Sequence, residues 1–97
     1  MTTTAATILI AEDDRAVREA LERALQFEGY TVHAAPNGAD ALELLGDANP
    51  DAIILDVMMP GIDGLTACRR IRDQGIQTPV LMLTARHEIS DLSLIHI

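Results

Sequence analysis

The stretch Ala52-Ile53-Ile54-Leu55-Asp56-Val57-Met58-Met59-Pro60-Gly61-Ile62-Asp63-Gly64 decides how the rest of the chain is read. It opens on a solid apolar run, closes that run on a carboxylate, and continues through a loop rich in Gly and Pro. A run with no alternating polar residue suits a strand covered on both faces, as in a parallel sheet. Upstream, Ile8-Leu9-Ile10-Ala11 repeats the pattern and ends in Glu12-Asp13-Asp14. Tyr30 to Ala35 and Pro79 to Thr84 read as two further strands.

Helical spacing fills the intervals. From about Arg15 to Glu28, Val17, Ala20, Leu21, Ala24 and Leu25 recur on one face, with Arg18, Glu19, Glu22 and Arg23 turned outward. Asp14 is the expected N-cap and Gly29 the stop. Pro36-Asn37-Gly38 is a turn before a helix over Ala39 to Leu45, with Ala41, Leu42 and Leu45 inward. Asn49-Pro50 breaks the chain again. A third helix runs from the loop to about Asp73, with Leu65, Cys68 and Ile71 inward and Arg69, Arg70 and Arg72 on a solvated face. Strands alternating with helices at this spacing call for right-handed βαβ units and a doubly wound α/β parallel sheet.

Length and charge narrow the function. Ninety-seven residues suffice for one domain, and the net charge is -8. That acidity argues against a nucleic-acid surface in this segment, because phosphate backbones require clustered Lys and Arg. All seven basic residues are Arg, and Lys is absent. Cys68 is the only cysteine, which excludes an internal disulfide and a thiolate metal site, and a reduced, cytoplasmic setting is expected. Neither a signal peptide nor a membrane span is expected. His33, His87 and His96 lie scattered, without ligand spacing.

Glu12, Asp13 and Asp56 therefore end two solid strands. In an open parallel sheet, ligands bind beyond the carboxyl ends of the strands, where strand order reverses. If the first and third strands are neighbours, the three carboxylates converge there and repel one another unless a cation binds. Ligands that are all oxygen suit a hard ion, Mg²⁺ in particular.

The segments Ile8 to Asp14, Asp56 to Gly64 and Pro79-Val80-Leu81-Met82-Leu83-Thr84-Ala85-Arg86, in this order, resemble bacterial two-component response-regulator receivers. The match covers about Thr7 to Asp91. Its flavour is OmpR/PhoB-like, in which a receiver is joined to a winged-helix DNA-binding domain. The resemblance implies a flavodoxin-like sheet of order 2-1-3-4. It makes Asp56 the phosphoacceptor from a sensor histidine kinase. Asp13 would bind Mg²⁺ directly, with Glu12 helping through water and the Met58 backbone carbonyl as a further ligand. Thr84 would donate its hydroxyl to a phosphoryl oxygen and start the switch, and the small Ala85 would leave room for the group. Direct nucleic-acid or membrane contact is not implied for this segment. DNA would be reached through a separate C-terminal domain of the parent. Two rivals are a receiver-like docking module that is never phosphorylated and a Mg²⁺-dependent phosphohydrolase. The hydrolases usually carry a second acid two residues after the nucleophile, where this chain has Met58.

Receivers continue past the fourth strand with a helix, a fifth strand ending in Lys-Pro, and a last helix. This chain instead reads Leu92-Ser93-Leu94-Ile95-His96-Ile97 after Asp91. Seven positions, 85 to 91, separate Thr84 from Leu92, too few for a parallel crossover. An antiparallel return is geometrically open but carries no strong sequence signal. The expectation is an incomplete receiver over residues 1–91 and a tail over 92–97 foreign to the fold. The fifth strand and last helix would be missing, along with the phosphate-binding Lys and the face through which the parent could dimerise. The fourth strand would then be an open apolar edge.

Overall fold

In a computed structural model, described for residues 5–84 and for the backbone of 93–96, strands and helices alternate from the start. The elements are β1 (Thr7–Ala11), α1 (Arg15–Phe27), β2 (Thr31–Ala35), α2 (Gly38–Ala48), β3 (Ala52–Asp56), α3 (Gly64–Asp73), β4 (Val80–Thr84) and β5 (Ser93–His96). Each helix starts on a side-chain cap. The carboxylate of Asp14 accepts from the Val17 N–H at 3.0 Å, Asn37 from Asp40 at 2.7 Å, and Asp63 from Thr66 at 2.7 Å. Gly29, at φ +100°, ends α1 as the sequence implied.

The sheet runs in the order β2-β1-β3-β4-β5. The first four strands are parallel, with Leu9 opposite both His33 and Ile53, and Leu55 opposite Met82. The apolar runs implied a doubly wound parallel sheet, and its order over the first four strands is the 2-1-3-4 that the resemblance implied. The chain leaves β1 toward one side of the sheet and β3 toward the other, so the gap beyond Ala11 and Asp56 is a switch point.

The fourth strand is not an open edge. Ser93–His96 pairs antiparallel with β4, placing Leu83 opposite Leu94 and Leu81 opposite His96. The physical reason is the short connection: eight residues, 85–92, cannot build a parallel crossover but can turn the chain back on itself.

Alternation along the strands divides the core. Leu9, Ile53, Leu55, Val80 and Met82 point to one face, where they pack with Ala41 and Leu45 of α2 and with Ala67, Cys68 and Ile71 of α3. Ile53, Leu55, Val80 and Met82 are fully enclosed there, at 0% exposure. The opposite face carries Ile8, Ile10, Ile54 and Leu81. Among the described helices, α1 alone packs there, against β1 and β2. Ile54 and Leu81 are therefore only half-buried. The same one-sided cover corrects the expectation for α1, which has no buried residue: Ala20 and Ala24 are exposed and Val17 is 39% exposed.

Three more side chains depart from the pattern. Leu65 points outward, 51% exposed, because Gly64, Ala67, Cys68 and Ile71 form the inner stripe of α3. Arg72 does not lie on a solvated face. Its guanidinium folds back to the carbonyls of Ile76 at 3.0 Å and Thr78 at 2.7 Å, tying the end of α3 to the approach to β4. The Met58 side chain points outward, 77% exposed, whereas Met59 is buried. None of the described helices is long and apolar enough to cross a membrane.

Candidate functional site

Two strand ends bring three acids together. Glu12 follows β1 directly, its N–H donating to the Ala35 carbonyl of β2 at 3.1 Å, so it remains in register with the sheet. Asp56 closes β3, opposite Leu83 of β4. One carboxylate oxygen from each of Glu12, Asp13 and Asp56 lies within 4.8 Å of the others. Glu12 and Asp56 are buried, and Asp13 is exposed at the mouth.

Backbone groups fix the carboxylates. The Asp14 N–H donates to Glu12 Oε2 at 2.9 Å, and the Met58 N–H donates to Asp56 Oδ1 at 3.2 Å. Behind Asp56, α3 begins in direct contact with the strand. The Gly64 N–H donates to the Val57 carbonyl at 3.1 Å. A Cβ at Gly64 would collide with the Asp56 carbonyl oxygen and stand only 3.0 Å from Val57 Cα. Of the two loop glycines, Gly61 has the positive φ, at +77°, and what Gly64 supplies is absence of bulk. Gly64→Ala is expected to cost about 1–3 kcal/mol, because the obstacle is backbone that cannot rotate away. A urea titration checks this: the midpoint should fall with the slope unchanged.

The electrostatics are those of a site short of positive charge. Burial pushes Glu12 up to about 7, with the charge of Asp56 adding to the rise and the Asp14 N–H opposing it. Burial likewise raises Asp56, Asp13 adding to it and the Met58 N–H opposing. At such spacings two carboxylates repel by about 3 kcal/mol for an effective dielectric near 20. The ion pair present among the described residues, Arg15–Glu19 at 2.9 Å, is exposed on α1 and outside the cluster. Three carboxylates that form no ion pair among the described residues fit a small hard divalent ion, and no described sulfur or imidazole joins them.

Of the other residues singled out by sequence, Met58 adjoins the cluster through its backbone. Thr84 is the last residue of β4, one beyond the Asp56–Leu83 pairing, and its hydroxyl lies outside the described atoms, as does all of Ala85. Asp14 caps α1, as expected, and takes no part in the carboxylate cluster. Sequence reasoning missed Arg18, half-buried although it was placed on the outer face of α1.

Comparison with known proteins gives one consistent result. A family model described as "Response regulator receiver domain" matches residues 8–94. Response regulator MprA of Mycobacterium ulcerans is 54% identical over 84 residues, covering 87% of this chain but 36% of that protein. The chain thus spans about a third of the length of the curated relatives it matches. Among solved structures, response regulator TrrA of Thermotoga maritima, in complex with Mg²⁺ and BeF, is 41% identical with a TM-score of 0.79, covering 90% of this chain and 76% of that one. The chemotaxis protein CheY4 of Vibrio cholerae is 34% identical with a TM-score of 0.82, covering 90% of this chain and 74% of the other.

Proposed function

Since the chain belongs to the response regulator receiver domain family, we propose that it is a phosphoacceptor, taking a phosphoryl group on Asp56 with Mg²⁺ held by the neighbouring acids. The observation that carries the reading is the gathering of Glu12, Asp13 and Asp56 carboxylates within 4.8 Å at the switch point. Glu12, Asp13, Asp56 and the Met58 carbonyl would hold the ion, whose charge offsets that developing on the phosphoryl oxygens. A carboxylate oxygen of Asp56 attacks phosphorus as the bond to the donor nitrogen of a phosphohistidine breaks, leaving an acyl phosphate. The Met58 N–H orients Asp56 by donating to one carboxylate oxygen, Oδ1, at 3.2 Å. Thr84, at the end of the adjoining strand, is the proposed hydroxyl donor to the phosphoryl group.

On this reading the domain is a signalling module, its donor is a sensor histidine kinase in the cytoplasm, and its parent acts on DNA through a further domain. The receiver portion is assigned to residues 1–91. A second reading is docking without phosphotransfer. Incubating the chain with a small phosphodonor and Mg²⁺, followed by peptide mass spectrometry, separates them. The expected result is one phosphoryl group on Asp56, lost in Asp56→Asn. An unmodified Asp56 with Mg²⁺ bound supports the docking module, and sustained phosphate release under turnover conditions supports a hydrolase.

A further inference from the structure

We propose that Arg18 is a positioning residue for the carboxylate site, holding the backbone of the β1–α1 turn so that Glu12 and Asp13 meet the same cation. This rests on the receiver reading and adds a residue to it. Arg18 Nη1 donates to the Glu12 carbonyl at 2.9 Å and reaches the Asp13 carbonyl at 3.5 Å. These two carbonyls lie where the chain leaves the sheet, and among the described residues no backbone N–H outside the strand ladders donates to them. The guanidinium is a donor-only, planar group and can serve both from one nitrogen. It is half-buried, while Arg15, Ala16 and Val17, earlier on the same helix, are exposed.

The turn is tied from both ends. Its start is held by Glu12 N–H on Ala35, and its end by Asp14, which caps Val17 and receives the Arg18 N–H on its own carbonyl at 2.8 Å. Arg18 thus uses its backbone to join the capped helix and its side chain to reach back over the turn. The peptide groups on either side of Asp13 are the ones it fixes, and they set where that otherwise exposed carboxylate points. Residues that orient ligands in this way commonly change metal affinity by tenfold or more.

Charge and geometry make opposite forecasts, which gives the test its edge. A guanidinium near a cation site repels the cation, so its removal would tighten Mg²⁺ binding if charge alone mattered. Positioning requires the reverse. Calorimetric Mg²⁺ titration of the chain is expected to show about tenfold weaker binding in Arg18→Ala and Arg18→Gln, with partial recovery in Arg18→Lys. Arg15→Ala, which removes an exposed charge from the same helix, should leave the affinity within about twofold. In the metal-free chain, amide exchange at Asp14, whose N–H is held by Glu12, should accelerate in Arg18→Ala and Arg18→Gln while the urea midpoint stays in the folded range. Equal or tighter Mg²⁺ binding in both variants overturns the proposal. If wild type binds no Mg²⁺ yet Asp14 exchange still accelerates, the Mg²⁺-dependent phosphoacceptor reading fails while the turn clamp stands. Unchanged exchange with normal wild-type binding removes the clamp alone.

Discussion

Raising the pH from about 5 to 8 in the absence of metal is expected to lower the stability of this domain by up to about 3 kcal/mol. Glu12 titrates near 7 in the folded chain, above its ordinary value of 4.5. Between those values the folded state holds a proton that the unfolded state has released. Stability from this group is therefore fully present below about 4.5 and is lost as pH rises through 7. Asp56, also raised, acts in the same direction. Asp63 is held below the usual carboxylate range by the Thr66 N–H, and exposed Glu19 by Arg15; both act oppositely, in the more acid range, and do not mask the effect. Mg²⁺ should invert the profile, because on the proposed reading it would bind the ionised cluster and stabilise the fold by about 2.7 kcal/mol at a hundred times its dissociation constant. Urea unfolding across this pH range, with chelator and with saturating Mg²⁺, provides the check. A metal-free midpoint that is flat or rises with pH would refute the electrostatic picture.

Asp56→Asn should make the metal-free protein more stable at pH 8, by about 1–2 kcal/mol, while weakening Mg²⁺ binding at least tenfold. The substitution keeps the shape and the oxygen that accepts from Met58 N–H, and removes one buried charge from the cluster. A group retained for chemistry at the expense of stability behaves this way. Thermal melts with chelator and with Mg²⁺ should cross: the variant melts higher without the ion, and wild type gains more with it. A variant less stable than wild type in chelator would mean that Asp56 contributes to folding through its charge, which contradicts the account.

The strands were legible because Ile8–Ala11 is buried throughout and Ala52–Leu55 is apolar on both faces, fully buried on one and half-buried on the other, which leaves no polar alternation. The caps were partly legible for a similar reason: Asp14 stands at the start of an apolar-periodic segment, and its carboxylate has an obvious local donor. What escaped depends on distances in space. Gly64 touches the Asp56 backbone eight residues earlier, a close approach that leaves no periodic trace. Arg18 and Arg72 look like outward charges on a helix wheel, yet long side chains can return to carbonyls at a helix end. The exposure of Val17, Ala20 and Ala24 reflects how little of that sheet face the described elements cover, a property of layers that single-helix periodicity cannot express. The antiparallel return of Ser93–His96 was allowed by connection length but selected by pairing with β4.

The claim on which the rest depends is that the acids at the ends of β1 and β3 bind a divalent cation together. Mg²⁺ titration of wild type and Asp13→Asn by calorimetry at pH 8 tests it without any phosphodonor, and Asp13 is exposed, so the substitution leaves the core intact. The account predicts saturable binding of one ion per chain in wild type, weakened at least tenfold by the substitution. Wild type without saturable binding, or a variant that binds equally well, would contradict it.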